Sequence, residues 1–405
     1  MVEEIEGQST SQHGTVAEVF RVFLKLGLTS FGGPVAHLGY FRDEFVVRRK
    51  WLDEHAYADL LALCQFLPGP ASSQVGMSLG LSRAGYAGAL AAWTAFTLPS
   101  AILMVLFAFS VDQLGPTLGS GWLHGLKVAA VAVVAVAVLG MARTLTPDRL
   151  RASFAVVAAA LSLIVPNAAS QIVAIALGAL AGMVLLPREQ SAPDAHLPLA
   201  IGRRTGAIAL VAFFVLLGGL PLLALATHDH AVGLADVFYR SGALVFGGGH
   251  VVLPLLQAGV VQPGWISSDA FLAGYGAAQA VPGPLFTFAA YLGAAMNLSP
   301  NGVAGAALCL VAIFLPSFLL VIGVLPFWNQ LRRHPLARTA LQGINAAVVG
   351  LLLAALYDPV WTVGIGSGAD FALAVADFVL LFMWRTPPWI VVMGSAIVGA
   401  AIASL

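Results

Sequence analysis

Four short motifs set helix-breaking residues in the middle of apolar runs: Phe31-Gly32-Gly33, Pro68-Gly69-Pro70, Phe246-Gly247-Gly248 and Pro282-Gly283-Pro284. Gly-Gly and Pro-Gly-Pro interrupt a helix. In hydrocarbon each freed backbone group costs several kcal/mol, so broken backbone at that depth must be buried in protein or line a watery cavity. Pro34, Pro70 and Pro284 stand where a new helix would start, the position that proline favours. The arm after each break then presents free N–H groups and about half a positive charge. Four such ends brought together make an anion site. The polar neighbours suit an oxyanion. Gln65 and Gln279 precede the Pro-Gly-Pro turns, and Ser72, Ser73, Gln74 and Thr287 follow them; all donate hydrogen bonds without adding fixed charge. A single break of this kind usually serves close helix packing. Breaks at matching places in two copies point instead to a transport site.

Other chemistry-bearing residues say less. Lys25 and Arg240 each lie six residues before a Phe-Gly-Gly motif, and a lysine there fits snorkelling as well as binding. His37 and His250 follow the Gly-Gly turns at non-equivalent positions; either could bind an anion or take a proton, but a hydrogen-bonded structural histidine is the favoured reading. His228-Asp229-His230 has metal-like spacing without a third ligand nearby, which reads as a solvated loop. Asp377, in a short apolar segment, is unexplained. Cys64 and Cys309 lie in apolar context and support neither a disulfide framework nor a redox site. No nucleotide-binding loop, zinc-protease helix or serine elbow is present, so no cofactor and no enzymatic reaction are expected.

The elements that must hold these residues follow from composition. The 405 residues carry 19 basic and 19 acidic side chains, only 9% charged, with 59% hydrophobic residues and a mean hydropathy of +0.91. A soluble chain carries about 25% charge, so this is an all-α polytopic membrane protein, embedded in a lipid bilayer. Without a basic excess it is not a nucleic-acid binder. The chain contains two copies of one unit. The Phe-Gly-Gly, Pro-Gly-Pro and Leu-Pro-Ser (98–100 and 315–317) motifs recur in order at offsets of 214 to 217, and Trp51 pairs with Trp265. Gly178/Gly182 and Ser395/Gly399 correspond at the offset of 217 and read as packing faces. The expected organisation is a cytoplasmic tail over 1–15, a first repeat over 16–187, a linker over 188–234 with one transmembrane helix at 205–226, and a second repeat over 235–405.

One crossing between two copies should invert the second, and the basic residues agree. Arg42, Arg48, Arg49 and Lys50 face a counterpart without basic residues (257–264), and Arg332, Arg333 and Arg338 face another (113–124). Each basic loop in one copy is non-basic in the other, which places those loops in the cytoplasm. Full crossings are expected at 85–110, 124–142, 152–166, 170–187, 205–226, 303–327, 341–357, 371–384 and 388–405. The stretches 16–41, 53–82, 235–256 and 267–298 begin and end on one side, so each is a broken or re-entrant hairpin turning within the membrane. Lys127 and Arg240 alone among the basic residues fall near the outer side and are candidates for the anion path.

These residues resemble the chromate ion transporter (CHR) family over nearly the whole chain. The resemblance rests on Phe31-Gly32-Gly33-Pro34 with His37 and Tyr40-Phe41, on Trp51-Leu52 and on Gln65 to Pro70. In the second copy it rests on Phe246 to Gly249, Trp265-Ile266 and Gln279 to Pro284. Two fused copies look like the long-chain members. The resemblance implies a transporter that exports chromate, confers chromate resistance and resides in a bacterial inner membrane. Gly249 stands where Pro34 does in the first copy, so an asymmetric site is expected. Sulfate has the charge and shape of chromate and stays open as a substrate, as do an anion channel and a homodimeric assembly.

Overall fold

The computed structural model describes residues 14–118, 120–187 and 201–403. The expected N-terminal tail, apart from its last two residues, and the opening of the expected linker lie outside them. Among the described residues every regular element is helical. The first hairpin is α1 (Val16–Thr29) and α2 (Gly33–Arg42), the latter continued by a π turn at Asp43–Arg48; the second is α3 (Glu54–Phe66) and the opening of α4 (Ala71–Leu118). α5 (Gly121–Leu145), α6 (Arg149–Ile164), α7 (Ala168–Leu185) and α8 (Arg203–Thr227) follow. The later half opens with α9 (His230–Ala243), a 3₁₀ turn (Gly249–Val251), α10 (Val252–Leu256) and a π turn (Gln257–Val261). Its second hairpin is α11 (Ser268–Ala280), a 3₁₀ turn (Leu285–Thr287) and α12 (Phe288–Ala294). α13 (Gly302–Val324), α14 (Trp328–Arg333), α15 (Pro335–Ala355), α16 (Thr362–Gly364), α17 (Gly368–Phe382) and α18 (Pro388–Ala403) complete the chain.

Side-chain caps fix where the hairpin arms begin. Thr15 accepts from the Glu18 amide at the start of α1, and Asp229 accepts from Val232 at the start of α9. Asp53 and Ser267 do the same for α3 and α11. Such a cap satisfies one of the four orphan amides at a helix start. Asp229 is therefore a helix cap, and His230 stacks edge-on against Trp265 with ring centres 4.6 Å apart.

The arms are short. α1 has 14 residues and α3 has 13, about 20 Å at ~1.5 Å per residue, against a hydrocarbon core of roughly 30 Å. α4 is two helices joined where Ala84 and Gly85 leave helical geometry, so the crossing expected from 85 begins at that joint. Among the described residues six helices are long and apolar enough to span a membrane: those over 71–111, 121–145, 168–185, 203–227, 302–333 and 335–364. Three further stretches expected to cross, now α6, α17 and α18, are helical but only 15 or 16 residues long. Pro166-Asn167 closes α6, and Pro387-Pro388 separates α17 from α18.

Small residues set the closest helix pairs. α7 lies on α15, where Gly178 and Gly182 leave no room for a Cβ against the backbone at Gly343 and Thr339. α18 lies on α5 in the same way, Ser395 and Gly399 against Gly121 and Gly125. α1 meets α4 at Gly27, and α9 meets α13 at Gly242. Backbone approach of this kind drives helix association where lipid offers no hydrophobic gain. Charges gather at the helix ends: Glu44 holds both Arg48 and Arg49, Glu18 holds Arg83, and Arg332 reaches Asp59 from the other half of the chain.

Gly343→Leu should drive α15 away from α7, an overpacking cost of about 1–3 kcal/mol. Fluorescence-detected gel filtration should show loss of monodisperse protein. Gly140→Leu, at a position with open space around it, should leave the profile unchanged.

Candidate functional site

The hairpin tips meet in the interior and satisfy one another's backbone. The Gly283 amide donates to the Ser30 carbonyl at 2.9 Å, and the Gly69 amide donates to the Val245 carbonyl at 2.7 Å. Ser30 and Val245 are the residues just before the two Phe-Gly-Gly motifs. Each Pro-Gly-Pro turn thus binds the other half's Phe-Gly-Gly tip. Gly69 and Gly283 sit at φ +124° and +98°, in the region that side-chain-bearing residues avoid. A Cβ on Gly69 would strike Ser317 and Gln74, and one on Gly283 would strike Ser100. The Gln74 amide donates to the Pro68 carbonyl and the Thr287 hydroxyl to the Pro284 carbonyl, closing the two turns. His37 is buried; its Nε2 donates to the Ser30 carbonyl at 3.1 Å, with Nδ1 3.5 Å from the Ser72 hydroxyl. It therefore braces the carbonyl that receives Gly283.

Beside this junction lies a cavity of about 180 Å³. One wall is the start of α2 (Gly32, Gly33 and Pro34); opposite are Gln279, Val281 and Gly283, with His250 between, and Val133, Val136 and Ala137 of α5 closing it. α2 has no side-chain cap, and a Cβ on Gly33 would meet nothing within 4 Å. The Gln279 Nε2 is buried without a hydrogen-bond partner, although such groups are nearly always paired. His250 Nδ1 lies 2.8 Å from the Tyr275 hydroxyl. The cavity offers donors and dipoles without a cation, between apolar walls, an arrangement suited to a desolvated oxyanion.

Of the residues singled out by sequence, the structure brings Gly32, Gly33, Gln279, Gly283 and His250 to this cavity. Pro68, Gly69, Pro70, Pro282 and Pro284 shape the turns. Ser72 and Gln74 are committed to His37 and Pro68, while the Ser73 hydroxyl is buried and unpartnered. Phe31 packs on Trp389, ring centres 5.8 Å apart. Phe246, Gly247 and Gly248 form the other tip, where Gly247 lies near Met141, Leu145 and Asn345. Lys25 and Gln65 are exposed, away from the cavity. Arg240 is held by both oxygens of Asp236 at 2.7 and 2.5 Å and lies outside the cavity lining. Lys127 is paired with Asp269 in a larger cavity of about 700 Å³, which also holds a His124–Asp370 pair at 2.7 Å. Sequence reasoning missed Tyr275 and the role of Ser100 and Ser317, although the recurring Leu-Pro-Ser motif was the signal available for the two serines. Among the described residues no cluster could hold a metal ion.

A family model described as chromate transporter matches residues 17–183 and 232–400. A "probable chromate transport protein" of Synechococcus elongatus is 28% identical over 348 residues, 84% of each chain. The chromate transport protein of Pseudomonas aeruginosa is 28% identical over 93% of this chain and 89% of its own. That of Cupriavidus metallidurans is 26% identical over 84% and 82%. No solved structure matches.

Gly69→Val and Gly283→Val should each abolish solute transport while membrane insertion persists. Vesicle uptake and membrane-fraction immunoblots read the two separately.

Proposed function

The chain belongs to the chromate transporter family, and from that membership we propose a secondary transporter that carries chromate out of the cytoplasm and so confers chromate resistance. In this reading the chain sits in a bacterial inner membrane, with the loops around Arg42–Lys50 and Arg332–Arg338 in the cytoplasm and the second repeat inverted relative to the first. The oxyanion is held in the cavity between the start of α2 and the second Pro-Gly-Pro turn. The observation that carries this assignment is the buried, unpartnered Nε2 of Gln279 facing an uncapped helix start. A buried hydrogen-bond donor left without a protein partner is satisfied when an anionic oxygen arrives. Lys127, in the larger cavity, guides anions at the outer mouth. Arg240 is compensated by Asp236 and acts on the path only through that pair.

The membrane potential suffices as a driving force. One charge crossing 100 mV is worth about 2.3 kcal/mol, so a dianion leaving a negative interior gains about 4.6 kcal/mol. At about 1.4 kcal/mol per tenfold, that sustains a gradient of roughly three decades. Sulfate presents the same charge and tetrahedral shape to these donors and should compete.

Inside-out vesicles test the proposal: chromate uptake should rise steeply with a potassium–valinomycin potential and fall when sulfate is added. Uptake indifferent to the potential would overturn the electrogenic mechanism. Gln279→Leu removes a hydrogen bond to a charged group, worth about 1.5–3 kcal/mol, and should weaken oxyanion affinity by one to two orders of magnitude in equilibrium binding.

A further inference from the structure

Asp377 has no part in the site described above, yet it occupies a particular place between the two cavities. On α17, Leu373 lines the larger cavity and Leu381 lines the tip cavity; Asp377 lies one helical turn from each, on the same face. On α18, Pro388 lines the tip cavity while Gly399 and Ile402 line the larger one, and Ser395 lies between them. Asp377 and Ser395 are 3% and 1% exposed, and they touch each other. The Ser395 Oγ is 2.6 Å from the Asp377 Oδ2 and 2.9 Å from the Val391 carbonyl oxygen.

A hydroxyl has one hydrogen, so an ionised Asp377 and the Val391 carbonyl would compete for it. Both contacts are full two-centre hydrogen bonds at once when Asp377 carries a proton, donates it to Ser395 Oγ, and Ser395 donates onward to Val391; with Asp377 ionised, the single hydrogen is at best shared in a weaker three-centre bond. Among the described residues no cation offsets the carboxyl. α18 has no titratable side chain. α5 brings His124 and Lys127, engaged with Asp370 and Asp269 in the larger cavity, and Arg143, over the Phe382 ring. α11, packed on α5 and α18, brings Asp269 and Tyr275, the latter on His250; Arg385 lies beyond the end of α17. At the same offset of 217 that relates Gly178 to Ser395, the counterpart of Asp377 is Ala160. The acid and its hydroxyl partner thus occur together in one half of the chain only.

We infer that Asp377 is a proton-binding site that gates passage of the oxyanion between the two cavities. With the proton on, the carboxyl is neutral and locked to Ser395, and a dianion can pass. With the proton off, a fixed negative charge stands in the wall between the cavities, repels the dianion and draws water into the α17–α18 contact. Proton and oxyanion occupancy therefore favour each other, and the anion gradient is linked to the pH gradient. The three side-chain oxygens of Asp377 and Ser395 are too few for a sodium ion. The inference rests on the transport reading above.

Two measurements on the full chain test it. Infrared difference spectra of protein in lipid should show a protonated carboxyl stretch near neutral pH that disappears in Asp377→Asn and shifts in Ser395→Ala. In proteoliposomes, a pH difference of about one unit should change wild-type sulfate accumulation by up to about tenfold, one proton's worth. Asp377→Asn should still exchange labelled for unlabelled sulfate but ignore the pH difference, and Asp377→Glu should restore the response. An absent carboxyl band, an Asp377→Asn variant that still follows the pH difference, or accumulation driven by sodium instead would overturn the proposal. A wild type that carries neither sulfate nor chromate would fail the transport reading instead, and the infrared result would still decide whether Asp377 holds a proton.

Discussion

The interior of this protein is organised by two backbone hydrogen bonds, Gly283 N–H to Ser30 C=O and Gly69 N–H to Val245 C=O. Broken backbone at membrane depth must find partners within the protein. Here each break finds one in the other half of the chain. The turn that exposes an amide in one half meets the tip that exposes a carbonyl in the other. Everything close to the junction serves that exchange. His37 shares the Ser30 carbonyl, Gln74 and Thr287 close the turns, and Ser100 and Ser317 fill the space that a Cβ would need.

The helix contacts farther out repeat the pattern. Gly27 on α4 corresponds to Gly242 on α13, and the α7–α15 crossing corresponds to the α18–α5 crossing. The departures from this correspondence fall where the chemistry is. α2 starts with Pro34, whereas its counterpart begins as a 3₁₀ turn at Gly249. Gln279 lines the tip cavity while Gln65 is exposed. A framework built from paired contacts leaves its unpaired residues free to specialise.

Much of this was legible in the sequence. Gly and Pro in apolar runs have few uses, so the tips and their recurrence stood out, and small residues at fixed spacing announced the helix crossings. What could not be read was which donors would remain unsatisfied. Gln65 and Gln279 are equivalent in sequence, and only packing separates them. The surroundings of the basic residues were hidden for a related reason: the partner of Lys127, Asp269, lies 142 positions away. Asp236 was within reach of inspection, four residues before Arg240 on one helix face, but a helix-surface ion pair and an anion-binding arginine share that spacing. Asp377 was visible as an oddity and gained meaning only when α17 and α18 were seen to border both cavities.

The paired tips also have a mechanical consequence. Two point contacts define a line, and rotation about that line preserves both distances, whereas sliding one half past the other breaks both bonds together. The α7–α15 and α5–α18 crossings also join the halves at backbone contact, so the exchange of hydrogen bonds at Gly69 and Gly283 acts with them as a clamp that resists shear.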